Sequence, residues 1–137
     1  MQELTKQNVK WNLGIDVAKA KFDVALMLPT GKFKSKVFTN DASGFGKLDA
    51  WLTKQSDASV HACMEATGVY WEALAEHLAD AGHQVSVINP ARIKAYGTSQ
   101  GIRTKTDKVD ARLIATFCER NNPQAWQAPS LALRALR

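Results

Sequence analysis

"WNLGIDVAKAKFDVALMLPTGKFKSKVFT", residues 11–39, alternates apolar and polar positions along two of its segments and breaks at a Pro-Gly turn before a third. In its first segment Trp11, Leu13, Ile15 and Val17 point one way and Asn12, Gly14 and Asp16 the other, the period of two that a half-buried strand requires. "KFDVALML" repeats the alternation through Phe22, Val24, Leu26 and Leu28. "PTGK" at 29–32 places Pro and Gly where a tight turn uses them, and "KFKSKVFT" reads as a third strand. Connections this short join antiparallel neighbours, so the stretch predicts a three-stranded meander.

Beyond residue 40 the period lengthens. "SGFGKLDAWLTKQ" fits a helix with Phe45, Leu48 and Leu52 on one side and Ser43 as its N-cap. "ASVHACME" predicts a fourth strand with Val60, Ala62 and Met64 on one face. "VYWEALAEHLADAG" predicts an amphipathic helix with Tyr70, Leu74, Leu78 and Ala81 in register, ended by Gly82. "HQVSVINP" is a short fifth strand stopped by Pro90. A basic, polar loop follows, "ARIKAYGTSQGIRTK", and then a helix from about Asp107 to Arg120. The order β-β-β-α-β-α-β-α predicts an α/β fold of the ribonuclease-H-like kind. In it a mixed five-stranded sheet, three strands antiparallel and two added in parallel, carries helices on both faces.

With 137 residues the chain fits one domain, and 45% hydrophobic against 23% charged residues is ordinary for a globular protein. No apolar run is long enough for a membrane span, and "MQELTKQNVK" lacks the apolar core of a signal peptide, so the expected compartment is the cytoplasm. Cys63 and Cys118 lie far apart and are expected as reduced thiols. His61, His77 and His83 lack the paired spacing of a structural zinc site, so none is expected. Charge is uneven. Residues 1–90 carry a net −1 and residues 91–137 a net +6, together the +5 of the whole chain. A basic second part points to a polyanion, most often nucleic acid; the competing reading is a solvated basic face.

Four acids need an explanation. On a wheel at 100° per residue, Asp110 falls inside the apolar arc of Val109, Leu113, Ile114 and Phe117, and Asp107 at its edge. A carboxylate turned toward a core costs several kcal/mol unless it is paired. The helix dipole accounts for Asp107 in the first turn but not for Asp110 one turn in. Asp16 ends the first strand and Glu65 the fourth. Each alone is an ordinary strand-end acid. In the expected fold, however, those two strands are parallel neighbours whose C-terminal ends lie together, where ligand sites form in such sheets. Four carboxylates at one point require cations, and oxygen ligands select Mg2+ or Mn2+. Two ions can hold a phosphate, activate a nucleophilic oxygen and stabilise the leaving oxygen. The basic residues Arg92, Lys94, Arg103, Lys105, Lys108 and Arg112 would then receive a nucleic-acid backbone, with Tyr96 available to stack on a base.

"GIDVAK" at 14–19, "MEATGVY" at 64–70 and "VINPARIKAYGTSQGIRTKTDKVDA" at 87–111 resemble the signature of the DEDD-type insertion-sequence transposases, the group that includes the Piv pilin-gene invertases. The resemblance covers the chain from Trp11 to Arg120. It implies a RuvC-like catalytic domain whose acidic tetrad is Asp16, Glu65, Asp107 and Asp110, acting on DNA at the nucleoid. It also implies assembly as dimers or tetramers and, in some members, an element-encoded guide RNA. Members carry a second, C-terminal domain that supplies a serine. The expected division is therefore a tail at 1–10, the catalytic domain at 11–120, and at 121–137 the start of a helix leading to an absent C-terminal domain, with Ser130 as its cap.

Other classes remain to be weighed. An actin-like ATPase or sugar kinase shares the strand order but needs Gly and Ser or Thr after Asp16 to wrap phosphate, and "VAKAK" offers neither. A nucleic-acid-binding fragment without activity of its own, or a hydrolytic junction nuclease, would use the same acids and cations.

Overall fold

A computed structural model describes residues 11–56, 59–101 and 107–136, with the side chains of 107–110 outside the description. Five strands, β1 (Trp11–Val17), β2 (Lys21–Met27), β3 (Phe33–Thr39), β4 (Val60–Glu65) and β5 (Gln84–Ile88), form one sheet in the order β3-β2-β1-β4-β5. β1 pairs antiparallel with β2, and β2 with β3; β1 pairs parallel with β4, and β4 with β5. This is the mixed sheet that the alternation in residues 11–39 and the later crossovers predict. Five helices accompany it among the described residues: α1 (Ala42–Gln55), α2 (Glu72–Asp80), α3 (Pro90–Ser99), α4 (Asp107–Asn121) and α5 (Leu131–Ala135).

The period-two pattern sorts the sheet into two faces. Leu13, Ile15, Phe22, Val24, Leu26, Val60, Ala62 and Met64 turn toward α1 and α2 and bury Phe45, Leu48, Leu52, Leu74, Ala75 and Leu78 against themselves. Cys63 and Ile88 turn the other way and meet Ile93 of α3 and Leu113, Ile114, Phe117 and Cys118 of α4. Each fully buried Leu, Ile or Phe contributes about 1.5–3 kcal/mol of transfer free energy, so these two layers hold the sandwich together.

Three local features depart from the sequence expectation. Helix α1 is capped by Asp41, not Ser43: the Asp41 carboxylate accepts the Gly44 N–H at 2.8 Å and the Thr39 hydroxyl at 2.9 Å. Those bonds hold the Asp41 carboxyl below its ordinary pKa, the Gly44 amide most of all. Helix α2 starts at Glu72, so Tyr70 lies ahead of it and is exposed rather than in the apolar register. At its far end Gly82 takes φ +95° as expected, and the Gly82 and His83 amides close onto Ala79 and Leu78, but Ala81 is exposed rather than in the apolar register. The third departure is α3, where the basic stretch forms ten residues of helix instead of a loop. Pro90 ends β5 and also opens this helix, a role its fixed φ suits, while Asn89 caps it by accepting the Ala91 N–H at 2.8 Å.

After α4 the chain folds back along the sheet edge. Trp126 N–H donates to the Val85 carbonyl at 2.7 Å, and its ring meets Trp71 edge-on at 5.8 Å. Ser130 caps α5, as its position predicts, by accepting the Leu133 N–H, and Arg134 reaches both oxygens of Asp80 at 2.8 and 3.2 Å. Among the described residues no helix is long and apolar enough to cross a membrane.

Candidate functional site

The parallel pairing of β1 with β4 aligns Gly14 with Cys63 and Ile15 with Met64. Asp16 and Glu65 are the next residue on each strand, so they stand side by side at the C-terminal ends, about 4.8 Å apart across the ladder. Both are partly buried. This is the juxtaposition the sequence predicts for these two acids.

A third acid joins them that the sequence reading passed over. Asp23 of β2 is the direct antiparallel partner of Asp16 and is only 7% exposed. Directly paired residues share a face, so Asp23, Asp16 and Glu65 form a row across three adjacent strands. Lys21 approaches the Asp23 carboxylate at 3.4 Å. The signal was available: in "KFDVALM" Asp23 sits on the strand face opposite Phe22 and Val24, beside Ala25 and Met27, where a carboxylate needs a partner. Helix α4 covers that face.

That cover depends on Gly14. An ideal β-carbon at Gly14 would fall on the Ala111 carbonyl oxygen and the Ala115 amide nitrogen. The glycine therefore admits the helix backbone itself, two residues along β1 from Asp16. Ala111 is the neighbour in sequence of Asp110. The side chains of Asp107 and Asp110 lie outside the described residues, as do Arg103, Lys105 and Lys108.

Asn40 braces the same end of the sheet. Its side-chain amide donates to the Ala18 carbonyl at 2.8 Å and the Tyr70 carbonyl at 3.0 Å, tying the exit of β1 to the turn after β4. The segments that follow Asp16 and Glu65 thus share one donor.

Of the basic residues assigned to nucleic acid, Arg92, Lys94 and Arg112 are exposed. The Arg92 guanidinium lies 5.1 Å from the Phe117 ring centroid, and Arg112 lies 5.6 Å from that of Phe33. Tyr96 is half-buried with its ring edge-on to Phe117 at 5.4 Å, and its hydroxyl is buried with no hydrogen-bond partner among the described residues. The Tyr96 ring is thus engaged with α4, which leaves less of it for stacking on a base than its place in a loop would.

The donor set at the sheet end is oxygen only, and Asp16, Asp23 and Glu65 place several carboxylates within reach of one another. Such a set fits a hard divalent cation and does not fit a thiophilic one.

The sequence matches the IS110-type DEDD transposase family, described as "Transposase", over residues 13–137. It is 42% identical over 123 residues to the pilin gene-inverting protein of Moraxella bovis, and equally to that of Moraxella lacunata, covering 88% of this chain. The chain spans 38% of the length of these relatives. Among solved structures it is similar to RuvC of Thermus thermophilus, with a TM-score of 0.53 and 15% identity over 80% of this chain and 94% of that one. At that identity the likeness shows the fold, which is the ribonuclease-H-like one.

Proposed function

The chain belongs to the DEDD transposase family, and from that membership we propose that it is the catalytic domain of a DNA transposase or invertase, cutting and joining phosphodiesters through a carboxylate-held metal centre. The observation that carries the reading is the row Asp23, Asp16, Glu65 at the ends of the central strands, beneath the helix that bears Asp107 and Asp110.

In this reading Asp16, Glu65 and Asp110 are direct ligands of Mg2+ or Mn2+, and Asp107 is a ligand or hydrogen-bonds one. Two bound ions would supply the Lewis acidity that activates an attacking oxygen and stabilises the leaving one. The protein's share is placement. Gly14 lets α4 close onto β1, Asn40 fixes the two strand exits, and Asp23 adds negative charge beside Asp16. Arg92, Lys94 and Arg112, with Arg103, Lys105 and Lys108, supply cations for a DNA backbone along α3 and α4. A homo-oligomer on DNA, an element-encoded guide RNA, and action in the cytoplasm at the nucleoid belong to the same proposal. So does the division into a tail at 1–10, a catalytic domain at 11–120 and a connecting segment at 121–137.

Calorimetric titration with Mn2+ tests the core of it. Wild type is expected to bind, and Asp16→Asn and Asp110→Asn are expected to lose binding with the fold retained. Undiminished Mn2+ affinity in Asp110→Asn would remove the tetrad.

A further inference from the structure

On the α4 face of the sheet, from the middle of β4 toward its N-terminal end, His61 and Cys63 meet Cys118 of α4. Spacing along the sequence argues against a zinc site, yet the fold brings these three together. A ring nitrogen of His61 and both sulfurs lie within 4.8 Å of one another. His61 and Cys118 are each 1% exposed and Cys63 is fully buried. The legible signal was His-x-Cys on one strand, which puts both side chains on one face.

Hydrogen-bond partners hold the His61 ring in place. The Ser86 hydroxyl faces the Pro123 carbonyl at 3.0 Å and the Gln124 carbonyl at 2.8 Å, and these can only accept. Its single proton goes to them. Toward His61 Nε2, 2.8 Å away, the hydroxyl oxygen can therefore accept, and the Gln84 side-chain amide stands 3.4 Å from the same nitrogen. A metal-binding imidazole is usually oriented by hydrogen-bonded neighbours of this kind. Here the fixing group is anchored by backbone carbonyls of the segment that follows α4.

We propose that His61, Cys63 and Cys118 form a binding site for a thiophilic cation of the zinc class, which ties β4 to α4. One nitrogen and two sulfurs exclude Mg2+ and suit zinc, whose tetrahedral bonds set its ligands about 3.5–3.8 Å apart. The 4.8 Å limit requires only a small closure. Binding displaces the two thiol protons to solvent and changes no oxidation state. His61 and Cys118 also line a cavity of about 710 Å3 together with Asn12, Glu119 and Asn122. The cavity adjoins the cluster on the side of His61 and Cys118. Because β4 carries Glu65 and α4 carries Asp110, the site would fix the placement of one half of the acidic row against the other. It does not depend on what the acids do.

Co2+ added to the reduced, metal-free chain tests this. One equivalent is expected to give the intense visible bands of a tetrahedral ion and a sulfur-to-cobalt charge-transfer band, both bleached by Zn2+. The charge-transfer band should vanish in Cys118→Ser and His61→Gln and survive in Asp16→Asn, which reports on the acidic site instead. Circular dichroism shows whether the variants fold. Should they not, alkylation of the wild-type thiols decides: Zn2+ should protect both cysteines and Mg2+ neither. No charge-transfer band in wild type, thiols unprotected by Zn2+, or a band unchanged in folded Cys118→Ser would each overturn the site. So would a chain that forms only a Cys63–Cys118 disulfide and takes up no metal when reduced.

Discussion

Gly14 in β1 and Ala111 in α4 meet backbone to backbone, with no room for a β-carbon between them. Gly14→Ala must therefore push α4 off the sheet, since the obstructing atoms are main chain and cannot rotate away. Overpacking of this kind costs about 1–3 kcal/mol. The variant should show a lower urea midpoint and weaker Mn2+ binding together, because the same helix bears Asp110. Gly46 in α1 is the control: nothing lies within 4 Å of a β-carbon there. Gly46→Ala should stabilise by about 0.5–1 kcal/mol and leave metal affinity unchanged. Equal urea midpoints for Gly14→Ala and wild type would contradict the close packing.

What the sequence made legible follows from the physics of each signal. The strands were legible from local signals: β1 and β2 alternate through Leu13, Ile15, Phe22, Val24 and Leu26, which face the α1 and α2 layer, and the others are short runs bounded by turn or helix signals. Helix α3 was not, because its apolar face is thin: Ile93 and Gly97 are its buried residues, and a Pro at its first position looks like a terminator. The α1 cap was missed because Asp41 and Ser43 are both good capping residues, and only the backbone shows which oxygen meets the Gly44 amide. Asp16 and Glu65 could be paired in advance because strand order alone brings them together. The face that Asp23 occupies was legible too, but its place opposite Asp16 was not, since the register of β1 on β2 sets it there. The cluster of His61, Cys63 and Cys118 depends on how α4 lies on the sheet, which no spacing along the chain encodes.

Asp23 separates two grades of carboxylate. Asp16→Asn is expected to abolish Mn2+ binding, and the metal-free variant should melt at or above the wild-type temperature because repulsion in the acidic row is relieved. Asp23→Asn keeps the shape and the neighbouring Lys21 but removes a charge beside Asp16. Groups beside metal ligands typically tune affinity 10–100-fold, so a loss of about that size is expected rather than abolition. Calorimetry of the two variants side by side checks the ranking. Equal losses would make Asp23 a ligand in its own right, and no loss would place it outside the site.

His83 gives a pH dependence of known sign. It is half-buried, and its Nδ1 accepts the Val60 N–H at 3.0 Å, a bond that only the unprotonated nitrogen can make. Burial first, and the nearby His77 to a lesser degree, push its pKa below the ordinary 6.5, against the opposing pull of Asp49. The unfolded chain therefore takes up this proton before the folded one does. The stabilising contribution is complete above about 6.5 and is lost as pH falls through the lower folded value. Subtracting the pH–stability curve of His83→Gln from that of wild type should leave a step on the acid side of 6.5. A flat difference curve would show that His83 titrates alike in both states.

The arginines that stack on aromatic rings offer a way to tell a DNA contact from a structural one. If the basic face neutralises phosphates, log affinity should fall linearly with log salt, with a slope of about −0.9 per phosphate on duplex DNA. Arg112 is exposed, yet its guanidinium also covers Phe33. Arg112→Gln loses both the charge and the stack, and should reduce the magnitude of the slope by about one unit while lowering the melting temperature slightly. Arg112→Lys keeps the charge and loses the planar stack. It should restore the salt slope of wild type without restoring the melting temperature. The same pair of substitutions at Arg92, which stacks on Phe117, should behave alike. A slope that Arg112→Gln leaves unchanged, with only the melting temperature lowered, would assign Arg112 to packing and move the nucleic-acid path away from this end of α4.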